Sequence, residues 1–437
     1  MKKTNFLLGG ALLLVALFTT SCDKLMSKLD NPVGSYASID SAPTDKGPGD
    51  EFTLTVSTIS DGAVTWTSSD TDIAEVEGTG TTATVIAKRS GKVTITADVA
   101  ATENYQAGSA SCEVTLRVNN FKQLKSDIAN AAGSKEIVVL LADNAVIDLT
   151  SELNLTGKKT QIIGNKEKPA TFKVTTKSIT IDGAFKLANV NVDATGQTAS
   201  FIKGYKQSNG ETLTKVESGQ YVIKEPIVLE GITAKNMEKA FFDCNSTAYV
   251  YETFTINDCF VHYKTQGNVV LNFSSAMAIN FNITNSTFYS TTAGSANFIA
   301  LSGKRPWQVT GYENETGKLT CANNTFYNLA TGSKNMFLNT NTLKGQIYLY
   351  EMNSNIFVET SYQKKIYTNM TNNKKQVTTD GKNTYLHGTT FFSETNYNGD
   401  EGLQSDPGFA DAANGDFTLS ESSLQYENKT GDPRWIK

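Results

Sequence analysis

Short runs of alternating apolar and polar residues dominate the chain. Over residues 51–118 the alternation is clear, as in Phe52, Leu54 and Val56, and glycine-containing turns separate the runs. A period of two indicates strands buried on one face, and several short strands joined by such turns are typical of a β-sandwich. We therefore predict a small sandwich over residues 51–118, preceded by a linker over residues 23–50 that is rich in proline, glycine and aspartate.

The pattern changes after residue 119. Residues 121–132 carry apolar side chains at positions i, i+3, i+7 and i+8, which predicts an amphipathic helix. The uninterrupted apolar run over 137–141 predicts a fully buried strand. Short strands then recur without another helical period, so the rest of the chain is predicted to be almost entirely β.

A strand-like unit occurs four times in the second half of the chain. Its copies close on Phe260, Phe288, Phe326 and Phe357, which are 28, 38 and 31 residues apart, and each contains an asparagine near the turn. A recurring unit of this size without a helix indicates one coil of a β-solenoid, whose equivalent strands stack about 4.8 Å apart. We expect Phe288, Phe326 and Phe357 in a single column and the turn asparagines in a hydrogen-bonded ladder.

The first 22 residues are typical of an export signal. Lys2 and Lys3 precede a short apolar stretch over 6–18, which is too short to span a bilayer, and small polar residues lead into Cys22. The segment ending at Cys22 resembles the lipobox of bacterial lipoproteins, which implies cleavage before Cys22 and lipidation of its thiol. The alternative is ordinary secretion with cleavage elsewhere. The expected location is the cell envelope, with the outer membrane favoured and surface exposure left open.

Two family resemblances extend these predictions. Residues 66–76 and 91–97 resemble the group 2 bacterial immunoglobulin-like domain, which implies an Ig-like sandwich with Trp66 in its core. The predicted helix, the strand after it and residues 160–164 resemble the cap and first coil of the pectin-lyase-like right-handed parallel β-helix superfamily.

The C-terminal motifs resemble a more specific group. Residues 405–409, 414–419 and 431–435 are similar to the closing coil of uncharacterised β-helix domains found in polysaccharide-utilisation lipoproteins. The predicted fold class is therefore all-β: a small Ig-like β-sandwich followed by a right-handed parallel β-helix over residues 119–437, with an N-terminal capping helix.

Composition and charge exclude some classes of protein and of binding partner. Hydrophobic residues make up 39% and charged residues 19% of the 437 positions, and the formal net charge is −5. This balance excludes a highly charged disordered chain, and the absence of a basic excess argues against a nucleic-acid partner.

The spacing of the cysteines does not predict a metal site. The cysteines beyond Cys22 show no CxxC spacing, so no structural zinc is predicted. Their even number permits disulfides, but buried free thiols are favoured because each lies beside apolar strand residues. These cysteines are Cys112, Cys244, Cys259 and Cys321.

Catalytic motifs are not evident, so no catalytic residue is assigned. Polysaccharide hydrolases of the resembled superfamily would require clustered aspartates, and lyases would require a carboxylate-bound Ca²⁺ with a basic residue. Ca²⁺ is thus a cofactor that the resemblance allows but no motif supports, and no other cofactor or metal is expected. The candidate carboxylates for a lyase are Asp182, Asp193, Asp243 and Asp258, with Lys264 or Arg305 as base, but turn-capping or solvated aspartates are the favoured interpretation.

The aromatic insert over residues 302–312 suggests ligand binding instead. Trp307 and Tyr312 could stack on sugar rings, Arg305 could pair with a uronate carboxylate, and Tyr249 and Tyr251 could extend the platform. The alternative is that these aromatic rings pack on the outer wall of the solenoid.

These observations predict a lipid-anchored protein that binds extracellular polysaccharide, with a pectin-like glycan implied by the resemblance. The expected partners are polysaccharide, the membrane through Cys22, and other glycan-uptake proteins. A polysaccharide lyase or hydrolase is the first alternative, and an adhesin or structural surface protein is the second.

Overall fold

A parallel β-helix follows an antiparallel β-sandwich, which confirms the predicted all-β fold class. The computed structural model describes residues 32–131, 136–155, 157–204, 216–245, 249–301, 309–332, 337–339, 348–360, 377–386 and 402–437. None of the helices in these ranges is both long and apolar enough to cross a membrane.

Seven strands form the sandwich. They are β1 (Ala37–Ile39), β2 (Glu51–Thr58), β3 (Val64–Ser68), β4 (Ala74–Glu77), β5 (Thr82–Ala87), β6 (Gly91–Val99) and β7 (Gly108–Leu116). One sheet has the order β1-β2-β5-β4 and the other β3-β6-β7. Trp66 faces the core, and its indole N–H donates to the carbonyl oxygen of Gly80 at 3.0 Å. Strand β1 lies inside the segment predicted as a linker, because Ala37–Ile39 pairs with β2.

The predicted capping helix is confirmed as α1 (Phe121–Asn130). Asn120 caps it by accepting a hydrogen bond from the backbone N–H of Gln123 at 3.0 Å, which satisfies one of the free donors at the helix start. Phe121, Leu124 and Ile128 are buried and join the core of the β-helix. The helix therefore covers apolar side chains of the first coil that would otherwise face water.

Helix α1 also connects the sandwich to the β-helix. Its buried Asp127 contacts the loop between β5 and β6: the Ser90 hydroxyl donates to one carboxylate oxygen, and Arg89 Nε lies 3.5 Å from the other. Ser90 Oγ accepts a hydrogen bond from the backbone N–H of Leu140 at 2.9 Å, and Asn130 donates to the carbonyl oxygen of Lys88 at 2.7 Å. We call residues 88–90 with Asp127 the junction.

Each coil of the β-helix contributes strands to three faces. The first face contains β8 (Glu136–Leu140), β11 (Lys159–Ile163), the first halves of β14 (Phe185–Asp193) and β17 (Ile227–Met237), β19 (Tyr249–Asn257), β22 (Met277–Thr284), β25 (Gly317–Ala322), β28 (Tyr348–Asn353) and β30 (Val377–Thr379), with β16 (Tyr221–Ile223) paired to β19. The second face contains β9 (Val146–Asp148), β12 (Ala170–Lys173), the second halves of β14 and β17, β20 (Phe260–Thr265), β23 (Thr287–Thr292), β26 (Thr325–Tyr327), β29 (Ile356–Val358) and β31 (Thr384–Leu386). The third face contains β10 (Leu153–Asn154), β13 (Ile179–Ile181), β15 (Ile202–Gly204), β18 (Phe242–Asp243), β21 (Leu271–Asn272), β24 (Ile299–Ala300) and β27 (Leu338–Asn339).

A column of left-handed residues bends the chain between the first and second faces. Its members have φ between 50° and 60° and are Asn189, Gly231, Asp258, Asn285, Asn323 and Ser354. Asparagine, aspartate and glycine tolerate this conformation better than other residues, which explains their recurrence at this point of the repeat. This column fixes where each coil turns, and so which later side chains point inward.

The predicted phenylalanine column is confirmed. Phe288, Phe326 and Phe357 pair in register, with ring centroids 6.1 and 5.0 Å apart, and Tyr385 continues the column. Phe260, which was aligned with these residues as the end of the first copy of the repeat, is not their equivalent: it pairs with Thr287 and faces outward, since it comes one position too early after the bend.

The predicted asparagine ladder is also present. Inside the coils, Asn324 Nδ2 donates to Asn355 Oδ1 at 2.9 Å, and Asn355 Nδ2 donates to Asn383 Oδ1 at 3.0 Å. Each of these buried amides also donates to a backbone carbonyl oxygen. The ladder therefore satisfies polar groups that water cannot reach.

The four cysteines of the described residues are free thiols. Cys244, Cys259 and Cys321 lie in the β-helix core, as the favoured interpretation predicted, and burial raises the pKa of Cys244 and Cys259 to about 12. Cys112 is only partly buried, in the sandwich.

Candidate functional site

Most of the predicted ligand-binding residues do not form a platform. Arg305, Trp307 and the lipidation residue Cys22 lie outside the described residues. Tyr312 is described and half-buried; its hydroxyl donates to the Glu252 carboxylate, and its ring packs against apolar side chains of the first face. Burial and the Glu252 contact raise the pKa of Tyr312 well above its usual range.

Tyr249 and Tyr251 were wrongly predicted to face a ligand. Both side chains have no exposed surface, and their rings lie 5.8 Å apart in the core. The hydroxyl of Tyr251 donates to the Sγ of Cys244 at 3.5 Å. These tyrosines start strand β19 with their rings turned into the coil, so neither can stack on an external sugar.

The four candidate lyase carboxylates are dispersed. Asp182 is buried beside the third face, where its carboxylate accepts from the backbone N–H of Gly157 at 2.5 Å and where burial raises its pKa. Asp243 lies on the third face, whereas Asp193 and Asp258 lie on or beside the second. Across the described ranges, no three His, Cys, Asp or Glu side chains come together as ligands for a metal ion.

The C-terminal segment, residues 402–437, creates the most distinctive surface of the β-helix. Its resemblance to a closing coil suggested a position at the end of the solenoid, but it runs back across the outside of the second face. Its hydrogen bonds to successive coils are Gln425 Nε2 to Thr384 Oγ1 (3.1 Å), Gly431 N to Ser354 O (2.8 Å), Asp432 N to Thr325 Oγ1 (3.2 Å) and Trp435 Nε1 to Thr287 Oγ1 (2.7 Å).

Aromatic contacts hold this segment in place. Trp435 packs edge-on against the outward ring of Phe260, with centroids 5.6 Å apart. Phe417 packs in the same way on Tyr289, at 5.2 Å. The outward aromatic residues of these coils are therefore covered by the protein itself.

A groove opens beside Arg434 of this segment. The coils that precede Phe260 present Asn191 and Thr233 outward, in register on β14 and β17. The groove has a volume of about 190 Å³ and is lined by Lys166, Pro169, Asn189, Asn191, Gly231, Thr233, Asp258 and Arg434. Asn191 and Thr233 form its floor, and the C-terminal segment forms one wall.

Three charged side chains meet at this wall. The Asp258 carboxylate accepts from Arg434 Nη2 at 2.7 Å and from Lys166 Nζ at 3.3 Å. Arg434 Nε also lies 3.1 Å from the buried carboxylate of Asp432, and its guanidinium lies 5.6 Å from the ring centre of Phe260. Because Arg434 is 24% exposed and Lys166 is 77% exposed, the arginine is fixed whereas the lysine remains in solvent.

Burial raises the pKa of Asp432 to about 6, against the opposing effect of Arg434. This carboxylate also accepts a hydrogen bond from the Thr287 hydroxyl at 2.8 Å. The wall of the groove therefore contains a carboxyl group whose pKa is raised, although Asp432 itself is 2% exposed and does not line the groove.

A glycine is required at the bend beneath the groove. Gly231 has φ of 60°, and a Cβ built on it would lie 2.7 Å from Asn189 Oδ1. A side chain here would be strained by its backbone conformation and would displace the Asn189 amide. The floor thus depends on close approach between adjacent coils.

Sequence analysis identified parts of this site without joining them. Asp258 was selected as a candidate carboxylate, and Arg434 lies in the C-terminal motif over 431–435, but these residues are 176 positions apart. Lys166, in the loop between β11 and β12, and the strand residues Asn191 and Thr233 were missed because isolated polar residues carry no local signal. Only the stacking order of the coils could have brought them together.

Comparisons with known families match most of the β-helix. Residues 144–291 match the family model described as domain of unknown function DUF4957, and residues 319–435 match that of DUF5123. No curated protein matches the chain. Strand β22, in the first matched region, pairs directly with β25, in the second. Arg434 comes from the second region, whereas the other lining residues come from the first. The two matched regions are thus similar to domains of unknown function, and their described strands stack in one β-helix and line one groove.

Proposed function

We propose that this protein binds an extended extracellular polysaccharide in the groove beside the C-terminal segment. The observation that carries the proposal is the uncovered polar floor of Asn191 and Thr233, bounded by the wall that contains Arg434. Amide and hydroxyl groups can donate to and accept from sugar hydroxyls, and a long face with an open groove suits a polymer.

The paired charges of the groove bear on the kind of glycan. Asp258 already forms ion pairs with both Lys166 and Arg434, so a neutral sugar can bind without breaking an ion pair. A pectin-like uronate, which the superfamily resemblance implies, must compete with Asp258 for these cations. Lys166 is the cation better able to turn toward such a ligand, because most of its side chain is exposed.

The cellular setting proposed for this activity follows from the resemblances. The protein would be a bacterial lipoprotein anchored in the outer membrane through Cys22. Its group 2 Ig-like sandwich would be a spacer, and its β-helix would be of the pectin-lyase-like type. Other glycan-uptake proteins would then receive or hold the same polymer.

The proposal is tested by affinity electrophoresis on a panel of neutral and uronate polysaccharides. The double variant Asn191→Ala/Thr233→Ala removes the polar floor, and we expect roughly tenfold weaker binding, since each lost hydrogen bond costs about 0.5–1.5 kcal/mol. The matched control is Thr255→Ala/Asn282→Ala, which removes an outward hydrogen-bonded pair on the first face.

Three results would contradict or redirect the proposal. Equal retardation of both double variants would place binding elsewhere on the molecule. No retardation of the wild type on any polysaccharide would favour the adhesin alternative. Sustained release of unsaturated products, measured by absorbance, would identify a lyase.

A further inference from the structure

One end of the sandwich carries an exposed apolar patch. The side chains of Val33, Tyr36 and Ile59 are 47%, 60% and 54% exposed. Ala37 pairs with Thr58, so Tyr36 and Ile59 lie immediately beyond this last pair of β1 and β2. We call these three exposed side chains the apolar patch.

The loop that precedes β7 lies at the same end. Val33 forms an isolated bridge with Tyr105, and its backbone N–H donates to the carbonyl oxygen of Asn104 at 2.8 Å. Three separate stretches, residues 32–40, 59–63 and 100–107, therefore form this end of the sandwich.

The apolar patch is remote from the β-helix. Strand β2 ends beside the patch and begins at the opposite end, where the carboxylate of Asp50 accepts from Gln123 of α1 at 3.0 Å. Strand β7 likewise runs from the end with the patch toward α1. The described chain thus begins at the patch and leaves the sandwich at its other end.

We infer that the apolar patch lies on the lipid surface of the membrane that holds the anchor. This inference rests on the proposed lipidation of Cys22. Only nine residues, 23–31, separate Cys22 from Pro32, a span of at most about 35 Å when fully extended. A tyrosine with aliphatic neighbours suits the bilayer interface, where the ring is in contact with acyl chains and the hydroxyl with headgroups.

Charge distribution indicates the kind of lipid surface. The three stretches contain Asp40, Asp61 and Glu103 and no lysine or arginine. The contact is therefore apolar rather than electrostatic, and anionic headgroups should weaken it. It orients the sandwich with its long direction away from the bilayer and holds the β-helix outward.

The test uses the lipidated protein in phosphatidylcholine vesicles whose acyl chains are brominated. Single tryptophans are introduced by Tyr36→Trp or Ile59→Trp, and the wild-type signal of the native tryptophans is subtracted. The matched control is Thr53→Trp, at an exposed position in β2 further from the patch. We expect loss of fluorescence for tryptophan at 36 and 59, little loss at 53, and smaller losses when phosphatidylglycerol is added.

The outcomes separate this inference from the anchor on which it rests. Mass spectrometry of the N-terminal peptide reports lipidation independently; a protein without lipid overturns both the anchor and the membrane contact. A lipidated protein with equal quenching at 59 and 53 overturns only the contact.

Discussion

At the residue scale, the wall of the groove depends on a few buried or half-buried charges. Arg434 joins Asp258 at the bend to Asp432 in the C-terminal segment, so one side chain links two parts of the chain that are far apart in sequence. Removing a partner from such a pair is costly, because the remaining buried charge has no counter-ion.

Asp432 should make stability depend on pH. Its pKa is raised to about 6, so the folded state favours the protonated form; its stabilising contribution is complete below about pH 4 and is lost as pH rises through about 6. In urea titrations, the free energy of unfolding of Asp432→Asn should rise relative to that of the wild type as pH increases from about 4 to about 6. This relative rise should be at most about 3 kcal/mol, since one pKa unit corresponds to about 1.4 kcal/mol. The control Glu421→Gln, at an exposed position of the same segment, should show no such trend. A pH-independent difference for Asp432→Asn would contradict the assignment.

Lys166 and Asp258 should determine how the affinity for a glycan depends on the charge of the glycan and on salt concentration. Because the cations of the groove are already paired, we expect the affinity for a neutral glycan to change little with salt concentration. Lys166→Met should leave that affinity within about threefold and weaken binding of a uronate polymer more strongly. Calorimetric titration at low and high salt measures both effects, and strong salt dependence with the neutral glycan would show that the paired-charge interpretation is wrong.

At the element scale, the repeat could be predicted because every coil imposes the same pattern. Asn, Asp, Gly or Ser at the bend and an inward residue directly after it are local signals, and three successive coils also carry phenylalanine three positions beyond the bend. Phe260 was misassigned since it stands two positions after Asp258, whereas Phe288 stands three after Asn285. Counting from the left-handed residue gives the correct face; counting from phenylalanine to phenylalanine does not.

The sequence pattern could not predict contacts between distant elements. Tyr249 and Tyr251 carry no sequence signal that distinguishes an inward from an outward aromatic residue. The C-terminal segment could be recognised as a closing motif, but its return over the second face depends on its fit to outward rings such as Phe260. These contacts depend on packing between elements, which cannot be predicted from the alternation of apolar and polar residues along a single strand.

The asparagine ladder should be more important for stability than the surface asparagines. Asn355→Ala removes the acceptor of the buried backbone N–H of Asn324 and the amide donor to the carbonyl oxygen of Cys321, so we expect a loss of about 2–4 kcal/mol in the free energy of unfolding. Asn282→Ala, on the outside of the first face, should cost less than about 1 kcal/mol. Chemical denaturation followed by circular dichroism compares the two; similar losses would mean that the ladder contributes no more than an ordinary surface contact.

At the scale of the whole molecule, the junction makes the sandwich and the β-helix one mechanical unit. Asp127 is fully buried, and burial raises its pKa despite the nearby Arg89 and the hydrogen bond from Ser90. A buried polar contact of this kind fixes a relative orientation more than it adds stability. It keeps α1, and with it the first coil, against the sandwich.

Breaking the junction should uncouple the two parts. Arg89→Ala/Ser90→Ala removes both side chains that face Asp127, and we expect the unfolding transition seen by calorimetry to separate into two. Lys92→Ala/Glu113→Ala, which removes an exposed ion pair within the sandwich, should leave the profile unchanged. A single transition in the junction variant would show that other contacts join the two parts.

The return of the C-terminal segment has a consequence for biosynthesis and for handling the protein. Arg434 follows all the described strands in the sequence, so the wall of the groove is not complete until every one of these strands has been synthesised. A stop codon introduced between β31 and Arg434 would leave every described strand in the chain and still remove this wall of the groove. An affinity tag fused at Lys437 would emerge close to the groove, and purification handles are better placed elsewhere.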